Sequence, residues 1–133
     1  MSIEVSIIIP VYNAENTIID CLNSLVEQTI SKYDFEVICI NDGSTDKTYD
    51  LLNAFDKIMN FKVVNQINNG PAYARNEGAK LAGGTLIIFT DSDCILDCNW
   101  IEEMSKPFVD RKIVGVQGYY KTKQKKLIPK FEQ

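Results

Sequence analysis

Val5-Ser6-Ile7-Ile8-Ile9-Pro10 is the stretch on which the fold turns. From Val5 to Ile9 almost every residue is apolar and β-branched, and the run stops at a proline. A strand with one wet face would alternate, so this one reads as buried on both faces, as in a parallel sheet. Met1 to Pro10 has no basic flank before the apolar run and includes Glu4, so a strand and not a signal peptide is expected. After Asn13, the expected N-cap, apolar residues recur at Ile18, Cys21, Leu22, Leu25 and Val26, the spacing of one helix face.

Working outward, the unit repeats. Phe35 to Ile40 is strand-like, and Leu51, Leu52, Phe55, Ile58 and Met59 mark a helix opened by Ser44 or Thr45. A third strand is expected near Phe61 to Val64. Pro71 then opens an Ala-rich helix to about Leu81, which Gly83-Gly84 caps. A fourth strand runs from Thr85 to Phe89, Trp100 to Phe108 form a short helix ended or kinked by Pro107, and a last strand covers Ile113 to Val116. The order β-α-β-α-β-α-β-α-β implies an α/β, Rossmann-like fold: a mostly parallel open sheet with helices on both faces, whose ligands bind beyond the carboxyl ends of the strands.

The 133 residues suit one domain, and 45% apolar with 24% charged residues is the composition of a folded globular chain. A net charge of −4 argues against a nucleic-acid partner, which would ask for a basic surface. Lysines gather only at Lys121, Lys123, Lys125, Lys126 and Lys130. Residues 119–133 therefore read as a basic C-terminal tail on a domain of residues 1–118, either simply solvated or meeting anionic lipid, as a peripheral membrane contact, or an acidic partner. No window reaches the roughly 20 apolar residues of a membrane helix. Four cysteines without a CxxC pair, and no histidine, make a zinc site unexpected and suit a reduced, cytoplasmic setting.

Three strand ends carry polar residues outside the core pattern: Pro10-Val11-Tyr12-Asn13, Asn41-Asp42-Gly43-Ser44-Thr45-Asp46 and Thr90-Asp91-Ser92-Asp93. Each alone is ordinary loop chemistry. Together, the fold gathers them on one edge. If the chain stays extended past Phe89, Asp91 and Asp93 point the same way, and two carboxylates held close favour a hard divalent cation, Mg²⁺ or Mn²⁺. Such a cation completes its shell with phosphate oxygens and neutralises a departing diphosphate. Asp42 either accepts a hydrogen bond from a base or ribose, or caps the next helix. Tyr12 either stacks on a base or packs at the rim. Arg75, within Gly70-Pro71-Ala72-Tyr73-Ala74-Arg75-Asn76, either pairs with phosphate or is a surface arginine.

The ordered set Ile8-Ile9-Pro10-Val11-Tyr12-Asn13, Asn41 to Asp46, Gly70 to Asn76 and Thr90-Asp91-Ser92-Asp93 resembles the family 2 glycosyltransferases over about residues 3 to 118. The resemblance implies a GT-A fold and an inverting, metal-dependent hexosyl transfer from a nucleotide-diphosphate sugar, commonly a UDP-sugar, to a saccharide or lipid-linked acceptor. Synthesis of surface polysaccharide or glycoconjugate at the cytoplasmic face of a membrane is the setting it suggests. By the same resemblance, Pro10, Val11, Tyr12, Asn13, Asp42, Arg75, Asp91 and Ser92 form the nucleotide site, with Asp93 as principal metal ligand and Asp91 beside it. Asn41 departs from the family's frequent Asp-Asp-Gly-Ser.

In resembling enzymes the general base, usually an Asp, follows the region that ends here at Gln133; after Arg111 the only carboxylate side chain is Glu132. The expectation is a donor-binding part cut before its catalytic base. It would act poorly alone or pair, through a bare strand edge at Ile113 to Val116, with a partner chain or as a homo-oligomer. The rival from another class is a non-catalytic nucleotide-sugar-binding or interaction module. A dinucleotide-binding enzyme or nucleotidyltransferase would need a Gly-rich loop where Pro10-Val11-Tyr12-Asn13 stands. An Asp-nucleophile phosphatase would carry its acidic pair after the first strand.

Overall fold

The computed structural model describes residues 3–120 and 126–131, and side-chain environments through Val116. Four strands, β1 (Val5–Val11), β2 (Phe35–Asp42), β3 (Phe61–Gln66) and β4 (Leu86–Phe89), form a wholly parallel sheet in the order β3-β2-β1-β4. β1 and β2 are central, and their near-continuous apolar sequences follow from burial on both faces. Helices α1 (Ile18–Val26), α2 (Thr48–Ala54) and α4 (Trp100–Ser105) contribute to the larger core. It holds Ile7, Ile9, Val37 and Cys39 from the strands with Leu22, Leu25, Trp100 and Ile101. Helix α3 (Pro71–Leu81) covers the other face through Ile8, Ile38, Ile40 and Ala74. The expected parallel sheet with helices on both faces is therefore present. Cys21 and Cys39 are fully buried, as their apolar positions suggested, and all four cysteines are free thiols.

The helix starts differ from expectation. α1 begins after Thr17, not Asn13, because Asn13 takes a left-handed conformation (φ 47°) and turns its side chain away from the helix. α2 begins at Thr48, whose N–H donates to Asp46 Oδ1 at 2.9 Å, and it closes at Ala54, well before Met59. α3 matches its expected bounds, but Gly83-Gly84 is no left-handed cap: the helix ends on Ala82 in extended geometry. Gly84 serves close approach instead, since a Cβ there would lie 2.8 Å from the Ser6 main-chain nitrogen.

Beyond β4 the chain makes a second, three-stranded sheet that the sequence did not suggest. β5 (Ile95–Leu96) runs parallel to β7 (Lys126–Phe131), which pairs antiparallel with β6 (Val116–Tyr120), in the order β5-β7-β6. The last strand expected at Ile113 to Val116 thus starts only at Val116; it pairs with β7 on one side and stands at the edge of its sheet on the other. The basic segment from 119 contributes a paired strand, with register Gly118↔Pro129 crossing the expected 118/119 boundary. Lys121, Lys123 and Lys125 lie outside the described residues. No helix among the described residues is long and apolar enough to cross a membrane.

Candidate donor and metal site

Register brings the strand ends together. Val11 stands beside Asn41, Asp42 beside Gln66, and Thr90 N–H donates to Ile8 O at 3.2 Å, so the chain leaves β1, β2 and β4 at one edge. The first two loops are tied reciprocally. Asn13 N–H donates to Ser44 Oγ (3.0 Å), Thr45 N–H to Asn13 Oδ1 (2.7 Å), Ala14 N–H to Thr48 Oγ1 (2.8 Å) and Lys47 N–H to Glu15 Oε2 (3.1 Å). Short polar side chains replace the missing main-chain partners of both turns. Asn13 and Ser44 are therefore used in shaping the edge. Val11 is fully buried, whereas Tyr12 is 52% exposed and Pro10 partly exposed.

Asp42 is almost wholly buried at the end of β2, yet it is not a helix cap. Its Oδ1 accepts from Gln66 Nε2 and Asn69 N–H, both at 2.8 Å, and its Oδ2 from Gly70 N–H at 3.0 Å. Asn68 Nδ2 donates to the Asp42 carbonyl at 3.1 Å. A carboxylate has about four acceptor positions, and three of those on Asp42 are filled from within the chain. Gln66 and Asn69 escaped the sequence reading, because nothing in their spacing announces that they hold a carboxylate 24 and 27 residues away.

The acidic pair sits in a turn. Cys94 N–H donates to Asp91 O at 3.2 Å, so Asp91-Ser92-Asp93-Cys94 bends directly after β4 and does not continue as an extended chain. The reason expected for convergence was wrong, but the convergence is present: ligand atoms of Asp91, Asp93 and Cys94 all lie within 4.8 Å of one another. Asp91 is exposed, Ser92 and Asp93 are partly exposed, and Cys94 is buried beneath them. Two carboxylates with one soft donor below suit Mg²⁺ or Mn²⁺ bound largely through oxygen. Cys21 donates its S–H to Asp91 O at 3.6 Å under the turn. Burial first, then the neighbouring Cys94, Asp93 and Asp91, push its pKa from 9.0 to about 12, so it stays a neutral thiol. Thr90 Oγ1 is buried without a hydrogen-bond partner among the described residues.

Arg75 reaches across from α3, its guanidinium Nη2 lying 3.4 Å from Asp91 Oδ1. A cavity of about 800 Å³ opens beside this pair along β4, lined by Ile87, Phe89, Met104, Phe108 and residues 113–116. The edge thus holds a recessed carboxylate, an exposed aromatic ring, an arginine and a carboxylate pair. The profile of Glycosyl transferase family 2 matches residues 6–132. The chain belongs to that family.

Among this family-2 chain's relatives, the poly(ribitol-phosphate) beta-glucosyltransferase of Bacillus spizizenii is 47% identical over 125 residues, covering 86% of the chain and 20% of the relative. The crystal structure of Staphylococcus aureus TarS in complex with UDP-GlcNAc superposes with a TM-score of 0.74 at 34% identity, over 82% of this chain and 32% of that one. The mannosyltransferase PcManGT of Pyrobaculum calidifontis, solved with GDP-Man and Mn²⁺, gives 0.64 at 25% identity over 75% of this chain and 29% of its own. The chain spans about a fifth to a third of the lengths of these proteins.

Proposed function

We propose that this chain is the donor-binding part of an inverting glycosyltransferase that takes a UDP-sugar and glycosylates a saccharide or lipid-linked acceptor in the cytoplasm, in the assembly of a cell-surface polymer. The observation that carries the reading is the Asp91–Asp93 turn set directly off β4, across from the recessed Asp42 carboxylate, in a family-2 chain. The similarity to TarS with UDP-GlcNAc supports a uridine nucleotide, and the Mn²⁺ of PcManGT supports a divalent metal. Poly(ribitol-phosphate) transferases among the relatives support a surface polymer as the setting.

On this reading Asp93 and Asp91 hold the cation, which neutralises charge on the departing diphosphate. Asp42 Oδ2 accepts from an N–H of the base, such as the imide of uracil, and Tyr12 offers its exposed ring for stacking. Arg75 meets phosphate oxygens with its planar fork. The loop ties around Asn13 and Ser44 keep these groups from having to order on binding.

The test is thermal unfolding in the presence of UDP, GDP, CMP or TDP, with and without Mn²⁺, repeated on Asp93→Ala. The expected result is a stabilising shift with UDP that Mn²⁺ enlarges and Asp93→Ala removes. No shift with any nucleotide would sink donor binding, and a shift indifferent to Asp93 would sink the metal assignment.

A further inference from the structure

Arg75 and Asp91 come from different elements and meet at 3.4 Å, with side chains 39% and 51% exposed. Charges so exposed add little to stability. Their consequence is electrostatic: Asp91 shares a 4.8 Å cluster with Asp93, and like charges this close repel unless a cation offsets them. Arg75 is a cation that offsets Asp91. A divalent ion entering between Asp91 and Asp93 competes with Arg75 for the Asp91 carboxylate. The released guanidinium is then left beside the bound ion, where a diphosphate bridging to that ion presents paired oxygens to its fork.

We propose that Arg75 is an exchangeable counter-cation, pairing with Asp91 until metal and donor arrive and then changing partner to the donor's phosphate. This rests on the donor and metal reading above and adds a coupling to it. Metal alone competes with Arg75, whereas metal with nucleotide gives Arg75 a new partner, so the two bind cooperatively and Arg75 is a positioning residue for both.

Mn²⁺ binding to the full chain, read from the electron paramagnetic resonance of free Mn²⁺ with and without UDP, separates the possibilities. Arg75→Gln is expected to bind Mn²⁺ alone about 3- to 30-fold more tightly, since a positive charge a few ångströms from the ion is removed. At saturating Mn²⁺ it is expected to bind UDP about 10- to 100-fold more weakly, having lost charged hydrogen bonds. Arg75→Lys keeps the charge and is expected to hold the wild-type affinity for Mn²⁺ alone. Unchanged Mn²⁺ affinity in Arg75→Gln with weakened UDP would make Arg75 a plain phosphate contact and overturn the exchange. Loss of both affinities would make it structural and overturn it too. Absence of Mn²⁺ binding in every variant would remove the metal reading itself, and the exchange with it.

Discussion

At the residue scale, two buried carboxylates play opposite parts. Asp42 holds the loop after β3 through three donors. Asp42→Ala strands these donors in a partly buried setting, and urea unfolding is expected to show a loss of about 2 kcal/mol or more. Glu36 lies at the other end of the sheet, accepting from Ser6 Oγ and Gly83 N–H, both at 2.6 Å, with Lys62 Nζ 3.4 Å away. Burial alone would raise its carboxyl pKa, but the bonds from Ser6 and Gly83 and the charge of Lys62 outweigh it and hold it below the ordinary 4.5. A lowered folded-state pKa gives stability that is fully present above the unfolded value and lost as pH falls from there through the folded one. The stability advantage of wild type over Glu36→Gln is therefore expected to be full at pH 7 and to shrink as pH drops below 4.5; an advantage constant with pH would refute the ionised role. Asp91 and Asp93 were legible as candidates from their place after an apolar run. Their turn was not, because a four-residue bend closed by one main-chain bond leaves no periodic mark.

Among the elements, α3 shows where a local rule yields to packing. Gly78 is buried in its middle, and a Cβ there would overlap Ile8 Cγ2. Ala would improve helix propensity by up to about 1 kcal/mol, while overpacking costs about 1–3 kcal/mol. Gly78→Ala is thus expected to lower the melting temperature, and adding Ile8→Ala to recover less than additively, as thermal denaturation of the double-mutant cycle would report. The bounds of α3 were readable because Pro71 at N1 lacks only a donor that the helix could not use. β7 was not readable. Lys126-Leu127-Ile128-Pro129-Lys130-Phe131 carries two lysines and a proline, which argue against a paired strand. β5 reaches only Lys126 and Leu127, so Pro129 lies beyond it, and the strand forms.

For the whole molecule, β4 is an edge of the parallel sheet, with Ile87 and Phe89 substantially exposed above the apolar cavity. Leu86 and Thr90 donate their N–H groups to Glu4 O and Ile8 O, and alternation points those of Ile87 and Phe89 outward. Hydrogen exchange is expected to be slow at Leu86 and Thr90 and fast at Ile87 and Phe89; equal protection would mean that another strand covers this edge. By itself the sequence determined the parallel sheet, its helices on both faces and the edge where polar residues collect. Apolar runs and helical spacing are local, and burial on both faces of a strand writes itself into all but Ser6 of Val5 to Ile9. Only the tertiary structure decided that Gln66, Asn69 and Gly70 hold Asp42, that Arg75 faces Asp91, and that a lysine-rich segment closes a second sheet. These are contacts between residues far apart in the chain, and their geometry exists only once the sheet register has brought the strand ends to one edge.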